Sequence, residues 1–317
     1  MGRRLLFVAA LIVVAIDASS ARAANIADFV DFSLRTPRGQ VVLPGRLYAP
    51  PNPSATPRPL IVYLHGSGAN GTNNVTQVEQ TPDMLAAEAK RRGAILYVPQ
   101  ANGEWSPTSL TDLVMSMITR AVGEFGADPR RLYVTGYSNG GRGTWNMLSR
   151  HPQRFAAALA VSPALQGSDF KAANLLGTAI MAVHARDDAT TPVANSRGVV
   201  NQILTAAGEP TPTYPAASST RYFVAANLAF PFHREIVYSE PPGSTINHFI
   251  TRPDLDLLYY EQPVGGHTGL LGVYSSEGIY DWMFSHSLAV PEPSVATLLL
   301  ICLPAAALGH RYQAAQR

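Results

Sequence analysis

The sequence predicts an α/β fold: a mostly parallel central sheet with helices on both faces. Short, continuously apolar runs such as Leu60-Ile-Val-Tyr-Leu64 have the character of strands buried on both sides. These runs alternate with longer segments whose apolar residues recur at helical spacing, as strand–helix–strand units do. At 317 residues and 46% hydrophobic content, the chain is also long enough to bury one large core.

Taken in order, residues 29–34 and 41–48 predict two antiparallel strands joined by a turn at Pro37-Arg-Gly39. A proline-rich connector over 50–59 leads into the apolar strand 60–64, which ends at His65-Gly-Ser-Gly68. Thr81-Pro-Asp83 is a helix-start signal and predicts a helix to about Arg92. A strand follows over 94–98. Ser109-Leu-Thr-Asp112 then has the form of a capping box for a helix reaching Phe125, with Leu110, Leu113, Val114, Met117, Ile118 and Val122 on one face. Strands are expected at 132–135, 155–161 and 179–183, helices at 141–150 and 193–207, a last strand at 255–260 and a closing helix at 279–284. Residues 208–252 interrupt this rhythm with a Pro-, Ser- and Thr-rich insert, too long to be bare loop. Tyr222-Phe-Val and Ile236-Val-Tyr238 within it suggest a hairpin, and Phe223, Phe230 and Phe232 either a lid or a small core.

The ends read as targeting segments. Gly2-Arg-Arg4, the apolar run 5–16 and Ala21-Arg-Ala23 form a secretory signal over residues 1–23, leaving a domain over 24–289. Between Ala24 and Val290, 19 Lys and Arg face 20 Asp and Glu, so the basic excess belongs to the ends and nothing points to nucleic acid. The single cysteine, Cys302, lies in the tail, which leaves the domain without disulfide or thiol nucleophile.

The chemistry centres on Leu132-Tyr-Val-Thr-Gly-Tyr-Ser-Asn-Gly-Gly141, a strand running through Gly-x-Ser-x-Gly into a helix. A serine on so sharp a turn needs small neighbours two positions either side, supplied by Gly136 and Gly140. The turn lifts the hydroxyl of Ser138 clear of the sheet, near a helix N-terminus that favours negative charge. An alcohol is a poor nucleophile at neutral pH, so it requires a base and a group to orient that base. His267, behind Gly265-Gly266 after the last strand, fits as base. His65 is expected to shape its loop, His151 to close a helix, His184 to end a strand and His286 to belong to the closing helix, while His233 and His248 fall in the insert without strand-end context. For the acid, the strand at 179–183 empties into His184-Ala-Arg-Asp187-Asp188; Asp188 is favoured, with Asp187 as a solvated or loop-bracing carboxylate. The oxyanion donors expected are the backbone N–H of Asn139 and that of Ser67, with Gly68 as second choice. Trp105 is a candidate pocket wall, and Tyr137 and Asn139, flanking the serine, are candidate substrate contacts.

Over residues 58–285 the chain resembles the α/β-hydrolase superfamily, in its phospholipase/carboxylesterase, feruloyl-esterase and polyhydroxybutyrate-depolymerase-like branch. The residues that carry the resemblance are His65-Gly-Ser-Gly68, the run from Asp128 to Gly141, His184 with Asp188 and Pro192, and Gly266-His267; Ala185 departs from the glycine usual there. The resemblance implies a Ser138–Asp188–His267 triad working through an acyl-enzyme, with no metal or cofactor. Residues 290–317, beginning Val-Pro-Glu-Pro-Ser294 and continuing into an apolar run and basic end, resemble a PEP-CTERM sorting signal. That implies processing by an exosortase-type enzyme in a Gram-negative-type bacterium, with a destination at the cell surface, extracellular matrix or periplasm. The expected function is a secreted carboxylic-ester hydrolase, with a polymer-linked acyl or aroyl ester as a plausible substrate. A serine peptidase of the same fold and a non-catalytic matrix-binding protein are the alternatives.

Overall fold

The computed structural model describes residues 24–52, 54–226 and 255–289. The segments read as leader and tail, along with Phe230, Phe232, His233, Ile236-Val-Tyr238 and His248, lie outside them.

Alternating apolar side chains build the sheet outward from β5 (Arg58–Leu64). Its Leu60, Val62 and Leu64 enter one core layer, while Ile61 and Tyr63 enter the other. On one side β5 pairs in parallel with β6 (Ile95–Pro99), and on the other with β7 (Ala127–Tyr137). The parallel order continues through β8 (Ala157–Val161), β9 (Ala179–Ala185) and β11 (Leu257–Gln262). Antiparallel strands close both edges. At one, β4 (Gly45–Tyr48) lies against β6 and β1 (Val30–Asp31) against β4; at the other, β10 (Phe223–Ala226) lies against β11. The result is a nine-stranded sheet with six parallel strands at its centre. A separate pair, β2 (Leu34–Arg35) and β3 (Val41–Leu43), forms the hairpin expected around Gly39, whose φ of 85° suits glycine.

Helices cover both faces. α3 (Thr108–Phe125), α4 (Asn139–Arg150) and α5 (Ala194–Ala207) contribute Val114, Met117, Trp145, Leu148, Val199 and Ile203 to one layer. The short α1 (Thr76–Glu79), α2 (Asp83–Arg91) and α6 (Glu277–Ser285) line the opposite layer with Val78, Leu85, Ile279 and Trp282. Each such buried aliphatic side chain contributes about 1.5–3 kcal/mol. α3 and α5 end on left-handed glycines, Gly126 and Gly208.

Two local expectations are corrected. Ser109 does not cap α3, which begins at Thr108; Pro107 is the extended N-cap, and its carbonyl accepts from Leu110 N and Thr111 N without a side-chain cap. Nor does the first part of the insert stand apart from the domain. β10 adds to the sheet edge beside β11, and Phe223 is buried against Tyr214 and Tyr259. This phenyl ring belongs to the main core and not to a lid.

Candidate active site

The turn between β7 and α4 consists of Ser138 alone, with φ 58° and ψ −116°. Such a conformation costs a non-glycine residue about 1–3 kcal/mol and persists only where its surroundings dictate it. Here they do. The Ser138 N–H donates to Val161 O at 2.9 Å, and its carbonyl accepts from Ala164 N at 3.0 Å and Arg142 N at 3.1 Å. A Cβ on Gly140 would stand 1.7 Å from Leu64 O, and one on Gly136 would stand 2.3 Å from Gly140 O. The glycine spacing read from the sequence is therefore a packing requirement: α4 lies against the end of β5 with no room for a methyl group.

His267 approaches Ser138 from the loop after β11. Its Nε2 accepts from Ser138 Oγ at 2.9 Å, and its Nδ1–H donates to Asp188 Oδ2 at 2.7 Å. Three residues far apart in the chain thus form one hydrogen-bonded line, with the imidazole in the tautomer that leaves Nε2 ready to take a proton. The Tyr137 ring packs against that of His267, with centroids 4.9 Å apart.

The two aspartates have separate tasks. Asp188 is buried, and its Oδ1 accepts the backbone N–H groups of Thr190 and Thr191, both at 2.9 Å. Its Oδ2 accepts from the Thr191 hydroxyl at 2.8 Å as well as from His267. Burial pushes this carboxyl up, but the His267 and threonine hydrogen bonds outweigh burial and hold it below the usual carboxylate range. Asp187 is exposed and takes the backbone N–H groups of Gly265 and Gly266 at 3.2 and 2.7 Å. It braces the turn that delivers His267.

A cavity of about 480 Å³ opens beside the serine, lined by Gly66, Ser67, Gly68, Tyr137, Ser138 and His267, with Tyr63 and Leu271 among its other walls. Ser67 and Gly68 begin a 3-10 turn (Ser67–Ala69) directly after His65 and Gly66. Asn139 is the first residue of α4, where a backbone N–H lacks an intrahelical acceptor. The backbones of Ser67, Gly68 and Asn139 thus all adjoin Ser138 or the cavity beside it. The loop beneath them is fixed by His65, whose Nδ1–H donates to Gly66 O at 2.7 Å while Nε2 accepts from Ala101 N at 2.9 Å. Burial lowers the His65 pKa to about 4, so the ring is neutral. Among the described residues no group of three or more His, Cys, Asp or Glu is placed to hold a metal ion.

Two expected substrate contacts lie elsewhere. Trp105 is buried beneath the site; its indole N–H donates to His65 O at 3.0 Å and its ring packs on His65 at 5.1 Å. It braces the loop from His65 to Gly68 and does not line the cavity, because the loop after β6 folds inward over α4. The Asn139 side chain is also committed: its Oδ1 accepts from Trp105 N at 3.3 Å and its Nδ2 donates to Gly103 O at 2.9 Å. Tyr137, by contrast, does line the cavity. Thr191, and the contact of His184 with the acid, were not anticipated from the sequence; both residues crowd Asp188 from below. A hydroxyl three residues after the aspartate, just before Pro192, was the available signal for the first.

Comparison with known proteins agrees with this architecture. The chain aligns with a solved thermostable esterase at a TM-score of 0.60 and 24% identity, covering 83% of this chain and 64% of that one, slightly under two thirds of its length. It also aligns with an acetyl xylan esterase from Aspergillus awamori at a TM-score of 0.54 and 16% identity, covering 80% of this chain and 97% of that one. The fold is the α/β-hydrolase fold. Residues 97–174, which include Ser138 but end before Asp188 and His267, match the prolyl oligopeptidase family, Peptidase_S9. NocK of Nocardia uniformis subsp. tsuyamanensis, which bears the name of an esterase, is 26% identical over 242 residues, covering 70% of this chain and 69% of NocK. The chain thus has the α/β-hydrolase fold and is similar in sequence to a protein named as an esterase.

Proposed function

We propose that the protein is a secreted serine esterase that cleaves carboxylic esters through an acyl-enzyme on Ser138. The observation that carries this reading is the unbroken line from Ser138 Oγ through His267 to Asp188 beside an accessible cavity. His267 Nε2 takes the hydroxyl proton as Ser138 Oγ attacks the ester carbonyl, and the N–H groups of Asn139 and Ser67 or Gly68 receive the developing oxyanion. Collapse expels the alcohol, which takes its proton from His267. Water then attacks the acyl-enzyme by the same route, releasing the carboxylic acid and restoring Ser138. Each oxyanion donor is typically worth about 10²–10³ in rate. Asp188, held as a carboxylate by its donors, keeps the imidazole aimed and stabilises its charge.

The likeness to NocK supports ester cleavage, and the leader and sorting tail read from the sequence support export toward a polymer-rich surface with an acyl or aroyl substrate. One observation favours a second reading, peptide cleavage: the match of residues 97–174 to the prolyl oligopeptidase family. The same triad serves both reactions, so the leaving group decides between them.

A fluorophosphonate probe should label the wild-type protein, and labelling should vanish in Ser138→Ala and fall strongly in His267→Ala. A folded protein that resists the probe would indicate a binding role and end the esterase reading. Among labelled protein, turnover of p-nitrophenyl or feruloyl esters with aminoacyl amides untouched is the expected pattern. The reverse pattern would establish the peptidase.

A further inference from the structure

The hydrogen-bonded line continues past the acid. Behind Asp188 lies His184, fully buried at the end of β9. Its Nε2 is 2.7 Å from Thr191 O, and a carbonyl can only accept, so Nε2 carries the hydrogen. Nδ1, 2.7 Å from Ser196 Oγ, then accepts from that hydroxyl, which sits on α5. The same Nε2 lies 3.3 Å from Asp188 Oδ2, the oxygen that receives the His267 N–H. We propose that His184 is a positioning residue for the triad: clamped by Ser196, its ring holds Thr191 through the Nε2–H and abuts Asp188 Oδ2, so that it and the Thr191 hydroxyl fix the Asp188 carboxylate and, through it, the aim of His267. The proposal rests on the triad reading given above.

Packing alone gives no reason for an imidazole here. The rest of β9 is Ala179, Ile180, Met181, Ala182, Val183 and Ala185, and an apolar side chain would fill the same space without a polar ring to satisfy. The groups facing His184 explain why a neutral ring suits the place. Glu261, its neighbour on β11, is held by Arg197 of α5 at 2.6 and 2.7 Å and lies 3.6 Å from Arg186. Its charge is thereby matched, leaving Asp188 as the carboxylate that His184 serves. Burial pushes the His184 imidazole down, so it stays neutral. A neutral donor orients the carboxylate without cancelling the charge that His267 needs during attack. Thr191 completes the clamp: its hydroxyl reaches Asp188 Oδ2 while its carbonyl receives His184.

The test compares His184→Leu and His184→Gln in the full chain by two measurements. The first is the low-field proton NMR resonance of the His267 Nδ1–H in the resting protein, which needs no turnover. The second is kcat and KM on a short p-nitrophenyl ester. In the leucine variant the resonance should shift or broaden, and kcat should fall roughly tenfold to a hundredfold with KM little changed, as expected of misaligned groups. Glutamine, whose amide N–H can reach the same acceptors, should restore both toward wild type. Should the leucine variant fail to fold, Ser196→Ala, which removes only the clamp, should show the same change in weaker form. A folded leucine or alanine variant with unaltered resonance and kcat overturns the proposal, as does a glutamine variant no better than leucine. Wild-type protein with a normal resonance and no ester turnover would sink the esterase reading instead, and the resonance would still decide the role of His184.

Discussion

Ser138 and Asp188 belong to one hydrogen-bonded line yet are held by opposite means. Around Ser138, position comes from contact between backbones: glycines at 136 and 140 let α4 and β5 meet so closely that the serine has one available conformation. Around Asp188, position comes from polar donors on Thr190, Thr191 and His267, contributed by two loops, with His184 of β9 behind them. Steric positioning is indifferent to protonation and fails all at once when a methyl group is added. Polar positioning is built from small terms, each removable, and depends on which atoms carry hydrogen. In the proposed mechanism this places the nucleophile at the crowded site, where its geometry is fixed, and the charge that balances the imidazolium at the polar one.

The sharpest way to break this comparison is to exchange the acid for its amide. Asp188→Asn keeps the shape but presents an N–H where His267 needs an acceptor, so the imidazole turns to the wrong tautomer. A fall in kcat of about 10⁴ is expected, with little change in thermal midpoint. Asp187→Asn keeps an acceptor for the Gly266 N–H and should cost less than about tenfold. Steady-state kinetics on one ester decide the matter; a larger loss at Asp187 would reverse the assignment of the two aspartates.

The steric half is broken by Gly140→Ala. A Cβ 1.7 Å from Leu64 O and 2.9 Å from His65 O can be relieved only by moving α4 away from β5. We expect a loss of about 3 kcal/mol or more in urea unfolding. Gly143→Ala sharpens the contrast. There the nearest atoms, at 2.8 Å, are Leu64 Cδ1, which can turn aside, and Trp105 Cβ, which is held near its backbone, so the cost should be about 1–3 kcal/mol and below that at Gly140, where the clash is with backbone. Equal losses at the two sites would mean that backbone crowding is not what fixes the serine.

The same division explains what could be read from the sequence. Steric rules act between residues close in the chain, so Gly136, Ser138 and Gly140 announced the turn, and the apolar runs announced β5 through β9. His267 and Asp188 were legible as types at strand ends, since the ends of parallel strands share one edge. The support behind them was not. His184 looked like the end of a strand because its partners, Ser196 and Thr191, converge only when α5 packs on β9. Trp105 looked like a pocket wall because aromatic residues in loops often serve as one, and nothing local reveals that its indole turns inward to the His65 carbonyl. The pairing of β10 was hidden for a similar reason: Tyr222-Phe-Val read as half of a local hairpin, while its partner, β11, lies beyond a long insert.

The most gradual expected effect concerns pH and the loop from His65 to Gly68, where the two modes meet. His65 is locked by packing against Trp105, yet its Nε2 must remain unprotonated to accept the Ala101 N–H. Burial lowers its pKa from the ordinary 6.5 to about 4 in the folded protein. Between those values the unfolded chain binds a proton that the folded protein refuses, so stability rises with pH across the interval. The contribution is fully present above pH 6.5, declines as pH falls, and is lost by about pH 4, with a total of about 3 kcal/mol. His184, also lowered by burial, acts in the same direction. Urea unfolding followed from pH 7 to pH 4 should show this decline. In His65→Gln, whose amide oxygen can accept from Ala101 without titrating, the slope should flatten. An unchanged slope in that variant would mean that His65 carries no such load, and that the loop is held by packing alone.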